Sequence, residues 1–406
     1  MVASSLSHLS TTFDRSTMIV IEPPLASNDV LPVANVVDDK LFGRSNNPFT
    51  PMQSPAQPSR SNLLLPPIEL INRLVDVFFV AVQPQFRLLH RPSLSQQLQD
   101  PAYTSNDSSI LLLYAIFALS ARYSDDVQVE LFDMSLMQTS DREAYVTNTC
   151  YQGRGHWERG KGFAQLANKL LQDKVAEADR LELKTGEIGQ PSIQMLQAAA
   201  LLSFAELGAG LSRRAHHMVS MCARMSYDFG LHEIDRGGCQ NQFRTTADFV
   251  EHDWVGKEGL RRIWWCIWDL DNFICTVTCR PRMMRTFRCQ TKLPINDKDW
   301  FDGRKVPSTL LPSDLRRLPE ALKSSSLASA MAYRIVSCHL LSTLVDVLDT
   351  ESLDEVGDSI SDIEDCATTW KENLPKDFRA GGDLQQLLRQ CEVLSDSIPM
   401  HIQYEL

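Results

Sequence analysis

Apolar positions between Glu258 and Pro281 recur at three- and four-residue steps: Leu260, Ile263, Trp264, Ile267, Leu270, Ile274 and Val277. Such spacing lays them along one side of a helix. Trp264, Trp265 and Trp268 add apolar bulk that needs neighbours on more than one side. Asp271 falls on the same side, where a carboxylate must be paired or hydrogen-bonded. Cys279-Arg280-Pro281 then ends the helix, because proline blocks its continuation. The pattern predicts a central core helix with one internal acid held by an arginine, the candidates being Arg261, Arg262, Arg280 and Arg224.

The same reading orders the rest of the chain. After Pro66-Pro67, which suit a first helical turn, Ile71, Leu74, Val75, Phe78, Phe79 and Val82 form a helical stripe that ends at Gln83-Pro84. His90 follows in F-R-L-L-H-R-P, and reads as a structural histidine beside an X-Pro turn, not as a ligand. Ser108-Ser109 is placed to cap a helix over Ile110–Ser124 that is apolar nearly all round and so buried on most sides. Residues 125–152 read as a polar loop. Phe163, Leu166, Ala167, Leu170 and Leu171 mark the next helix. Two more, opened by Ser192 and Ser212, form a helical hairpin that ends at Gly230, a left-handed residue, with Leu231 making the contact beyond it. Residues 302–319 read as a loop, and long helices are expected over Leu327–Leu348 and Ser352–Trp370. Ile335, Cys338, Leu341, Leu344, Val345 and Leu348 are placed inside the first of these. Cys391–Leu406 begins a further apolar segment. Residues 1–62, rich in Ser, Pro, Asn and Asp without a sustained period, read as a disordered linker. The sum is an all-α fold, an irregular array of packed helical hairpins.

Composition narrows the function classes. The chain has 406 residues and a net charge of −11, which repels phosphate backbones and disfavours general nucleic-acid binding. Its ten cysteines contain no C-x-x-C, and several sit in apolar helical patterns, as reduced intracellular cysteines do. No secretory signal is evident, and the run Ile110–Ala121 is too short to span a bilayer, so no membrane partner is expected.

Three candidate chemistries fail on spacing. Gly155 to Gly162 nearly spells a phosphate loop, but glycine stands where the magnesium-binding Ser or Thr belongs, and no apolar strand precedes it. His216, His217 and His232 with Cys222 do not share one helix face, and Cys275 with Cys279 reads as a buried, inert pair. Asp269 and Asp271, two residues apart, diverge by about 200° on a helix and cannot jointly hold one metal.

E-x-x-R-R-x-W-W from Glu258 through Arg261, Arg262 and Trp264, then Asp271 and Arg280-Pro281, resembles the middle homology region of fungal zinc-cluster (Zn2Cys6) transcription factors, also called the xylanolytic-activator regulatory domain. His90-Arg91-Pro92, the Ile110–Ser124 helix, Gly230-Leu231-His232, Leu293-Pro294 with Trp300, and Trp370 with Leu374-Pro375 resemble that family's other segments in order. The resemblance implies a regulatory domain over 66–406, stopping before the family's last helices, that controls transcription by RNA polymerase II in the nucleus and is no enzyme. It implies contacts with transcription machinery or co-regulators and leaves room for a small-molecule effector and a homodimer. DNA and zinc belong, in the family, to a cluster of six cysteines spaced C-x2-C-x6-C in each half. No cysteine precedes Cys150, so this chain carries no such cluster, and no cofactor is expected in it. The alternatives are an all-helical enzyme of isoprenoid-synthase type using Asp269 and Asp271, or a plain helical scaffold.

Overall fold

Asn106 opens the helix around which the others pack. Its side chain accepts the backbone N–H groups of Ser108 and Ser109, so the cap lies two residues ahead of the serines expected to provide it. The computed structural model describes residues 65–137, 159–185, 192–236, 254–286, 289–312, 317–318, 329–350 and 356–374. The expectations for residues 1–62 and for Cys391–Leu406 lie outside these.

The helices are α1 (Ile68–Val77), α2 (Arg91–Gln97), α3 (Pro101–Thr104), α4 (Asp107–Ser120), α5 (Val127–Leu136), α6 (Lys161–Thr185), α7 (Ile193–Ala209), α8 (Arg213–Asp228), α9 (Trp254–Thr278), α10 (Asp297–Phe301), α11 (Ala330–Thr350) and α12 (Val356–Asn373). Among the described residues there is no sheet, only an isolated bridge between Lys292 and Leu310. Helix α4 is buried from Ser109 to Ser120, as its all-round apolar sequence requires. It packs on α7, α6 and α1, while α7 also meets α8 and α9, and α9 meets α11.

Apolar stripes placed most of these helices, and local chemistry set their ends. Ser192 and Ser212 cap α7 and α8 by accepting the N–H groups of Met195 and Ala215. Gly230 takes φ 67°, the left-handed turn that closes α8, and Leu231 is buried beyond it. The stripe of α1 keeps Phe78, Phe79 and Val82 buried, but the helix widens there into a π-type turn over Phe78–Val82. In α9 the buried side runs from Glu258 to Cys275, and Val277 emerges into solvent. Leu341 and Leu348 of α11 are likewise exposed, so its buried face is narrower than the sequence suggested. Cys279 is exposed too, at φ 50°, and does not form a buried pair with Cys275. Ala330–Leu348 is long and apolar enough by composition to cross a membrane. Half of it is buried here, and its Arg334 pairs with Asp269 of α9 at 3.0 Å, so its apolar length serves packing.

The stretch read as a polar loop contains α5, whose Asp133 is fully buried. Its carboxylate accepts the N–H groups of Gly160 at 3.0 Å and Phe163 at 2.9 Å, at the start of α6. Burial is the larger influence on Asp133 and raises its pKa to about 7 against these donors. The near phosphate loop therefore ends in a helix N-terminus already filled by the protein's own carboxylate. The glycines there serve close approach. A Cβ on Gly160 would lie 2.4 Å from the carbonyl oxygen of Ala118, and one on Gly162 would lie 1.9 Å from that of Asp133.

Gly162→Ala is therefore expected to destabilise the fold by about 1–3 kcal/mol or more in urea unfolding, since α5 must move away. Gly357→Ala in α12, where a Cβ meets nothing within 4 Å, is expected to be neutral or stabilising by up to about 1 kcal/mol.

Candidate functional site

Glu258 and Arg262 sit one turn apart on α9, and neither side chain has any solvent exposure. Two ions so placed must be satisfied on every side. Glu258 accepts from Arg262 Nε at 3.2 Å, from Arg261 at 3.2 Å and from the backbone N–H of Ile295 at 2.9 Å. Arg262 donates in turn to Asp297, to the carbonyl of Ile295 at 2.6 Å and to that of Arg87 at 3.4 Å. Its guanidinium also lies 4.1 Å from the centroid of a Trp300 ring, a cation–π contact. Arg87 pairs with the other oxygen of Asp297.

Arg261 extends the network to Asp235, which it meets through Nε at 2.8 Å and a second nitrogen. Lys257 lies 3.1 Å from Asp235, and the N–H of Lys292 donates to it at 2.9 Å. Burial alone would raise the Asp235 pKa, but Arg261, Lys292 and Lys257 outweigh it and hold the carboxyl below its ordinary range. Asp235 and Glu258 in turn hold Arg261 above its ordinary value against its own burial.

Gly230, Leu231 and His232 deliver Asp235 to this point. After the left-handed turn the chain runs beside residues 290–292. The carbonyl of Leu231 accepts from the hydroxyl of Thr291, and that of His232 accepts the N–H of Gln290 at 2.6 Å. His232 packs against Tyr227 and Trp264, and its burial lowers its pKa, partly offset by Glu233. Trp264 itself is fully buried.

His90 caps α2, its Nδ1 accepting the N–H of Ser93, while its Nε2 donates to the carbonyl of Trp300 at 3.1 Å. It is thus engaged at both nitrogens. Arg91 is exposed, lies over the Phe79 ring and pairs with Asp76 at 2.8 Å. Pro92 occupies the first turn of α2 at the surface.

Asp271 departs from the expectation of an arginine partner. Arg261 and Arg262 belong to the Glu258 network, Arg224 pairs with Asp228, and Arg280 and Pro281 are exposed. Instead, Asp271 accepts the backbone N–H groups of Met283 at 2.9 Å and Met284 at 2.8 Å. The carboxylate folds the chain after Pro281 back onto α9, a contact that no side-chain pattern announces. Burial raises its pKa, and the two N–H donors offset that only in part. The arginine that works nearby is Arg282, which donates to Ser342 at 3.1 Å and pairs with Asp346, tying α9 to α11.

The acids of the enzyme alternative are separated in the same way. Asp269 faces Arg334 and Cys338, whereas Asp271 faces Met283 and Met284. Among the described residues no group of three or more His, Cys, Asp or Glu is placed to hold a metal. His216 instead contacts the carbonyl of Ser212 at 3.0 Å.

Sequence reasoning singled out Glu258, Arg261 and Arg262 of the buried network and did not single out its two aspartates. Asp235 lies three residues after His232, and Asp297 lies in the Leu293-Pro294 to Trp300 segment, but neither shares a periodic stripe with α9.

Asp271→Ala is expected to lose about 2–5 kcal/mol in chemical unfolding, since the buried N–H of Met284 and the half-buried one of Met283 are left unpaired. Asp271→Asn, whose amide oxygen can still accept them, is expected to stay within about 1 kcal/mol of the parent protein. A variant Asp271→Ala as stable as the parent would mean that this turn carries no weight.

The family profile described as "Fungal specific transcription factor domain" matches residues 75–374. A Zn(2)-C6 fungal-type transcription factor, FTF1c of Fusarium oxysporum f. sp. lycopersici, is 22% identical over 61% of this chain and 22% of its own length. The positive regulator of purine utilization of Emericella nidulans is 24% identical over 63% of this chain and 24% of its own length. The agnestins biosynthesis cluster transcription factor AgnL11 of Paecilomyces divaricatus is 26% identical over 68% of this chain and 36% of its own length. The chain thus corresponds to well under half of each of these relatives. No solved structure matches. The matched span contains Glu258, Arg261, Arg262, Asp271, Gly230 and His90, and on that match the chain belongs to the fungal specific transcription factor domain family.

Proposed function

We propose that this chain is the regulatory part of a zinc-cluster transcription factor, acting in the nucleus on transcription by RNA polymerase II through contacts with co-regulators or the transcription machinery. The observation that carries this reading is the family match over residues 75–374. Relatives named as a positive regulator and as a biosynthesis cluster transcription factor support it. DNA recognition and zinc belong, in this reading, to a cluster of six cysteines that none of the ten here forms. The net charge of −11 suits a module that binds protein, not phosphate backbones. A non-enzymatic role agrees with the partners of the buried acids, since Glu258, Asp235, Asp271 and Asp133 are all taken up in holding the backbone or arginines.

Fusing residues 1–406 to a heterologous DNA-binding domain in a fungal host is expected to change reporter transcription relative to that DNA-binding domain alone. The unfused chain is expected to select no sequence from a pool of random duplexes. A folded, promoter-bound fusion that leaves transcription unchanged would contradict the reading, and so would sequence-selective DNA binding by the chain itself.

A further inference from the structure

Between α2, α7 and the first turns of α9 lies a cavity of about 420 Å³. That is within the size range of small-molecule pockets. Its walls are apolar, with Leu88, Leu94, Leu112, Leu260 and Ile263 among them. No Asp, Glu, Lys or Arg is among its lining residues, although the chain is 22% charged. The polar groups that line it are hydroxyl and amide: Ser93, Gln97, Gln194 and Gln197, with His90, whose ring nitrogens are already engaged. An uncharged lining of this kind strips no charge of its solvent and offers none a partner, so it selects against ions.

The backbone of α9 gives a second, independent indication. Gly256 and Gly259, in adjacent positions one turn apart, both line the cavity. A glycine inside a helix costs roughly 1 kcal/mol relative to alanine. Packing does not demand one at Gly259, because a Cβ there would meet only the Trp300 ring, at an ordinary 3.6 Å. What glycine provides at this wall is open volume. Trp300 lines the same cavity and carries the guanidinium of Arg262, so this ring is the wall between the cavity and the buried ion network.

We infer that this cavity binds a small, uncharged, largely apolar molecule bearing a carbonyl or hydroxyl oxygen. Apolar walls supply the burial, and the glutamine amides, each able to donate and to accept, read the oxygen. Gln194 accepts from Ser109 through its amide oxygen, so its N–H groups are what it offers the ligand. Use of the pocket as an effector site rests on the transcriptional reading above, but binding does not, and it can be measured without transcription.

The probe is prodan, an uncharged naphthyl ketone whose emission shifts to the blue in apolar surroundings, titrated into the full chain beside the anionic dye anilinonaphthalene sulfonate. Saturable 1:1 binding of prodan is expected, with weaker binding of the anion. Gly259→Leu, which fills the cavity from the α9 side, is expected to weaken prodan about tenfold or more, with an unchanged melting temperature. Gly259→Ala is expected to retain binding. Gly256→Leu provides the same reading if Gly259→Leu fails to fold. The inference is overturned if the parent chain shows no saturable prodan binding, if the anion binds as tightly, or if a folded leucine variant binds prodan as the parent does.

Discussion

The buried ion pair of Glu258 and Arg262 is the constraint on which the arrangement of this domain depends. Moving two such charges out of water is costly, and their mutual attraction offsets that cost only when every remaining hydrogen-bonding position is filled. Here the partners come from distant parts of the chain: Ile295 just before α10 and Asp297 at its start, Arg87 before α2, and Asp235 through Arg261. Glu258 and Arg262 can be buried together only when all these segments have arrived. The pair therefore acts less as a source of net stability than as a test of correct assembly.

The driving force lies elsewhere, in the apolar faces of α4 and α7. Burying each large aliphatic or aromatic side chain contributes about 1.5–3 kcal/mol, and α4 is buried along almost its whole length. Such surfaces are smooth and specify register weakly, because many rotations of an all-apolar helix bury similar area. The polar contacts supply the missing directions. Asp133 fixes where α6 starts, Asp271 fixes the turn after α9, and Arg282 fixes α11 against α9. Each uses a carboxylate or guanidinium to hold backbone atoms of another segment, which demands one geometry.

This division of labour explains what the sequence discloses. Helices with a periodic stripe and a local cap were legible, as with Ser192, Ser212 and Gly230, because the signal and the structure share the same few residues. Helix α5 was not, since only Val129 and Asp133 of it are buried and its stripe is correspondingly faint. Asp133 acts on residues about thirty positions away, and Asp271 acts on backbone N–H groups, which carry no side-chain signature. For the same reason Arg261 and Arg262 stood out within α9, while Asp235 and Asp297 did not. The cavity was invisible in sequence because its walls come from five separate helices, α2, α4, α7, α9 and α10, although the glycines of α9 are its local trace.

The most direct measurement of the central claim is a double-mutant cycle on Glu258 and Arg262, with urea unfolding of Glu258→Leu, Arg262→Met and the pair together. Each single change should cost about 3–5 kcal/mol, because the other ion is left buried alone. The double variant should lose less than the sum by about 1.5 kcal/mol or more. Additive losses, within about 0.5 kcal/mol, would mean that the two ions do not depend on each other and that the network does not set the assembly of this domain.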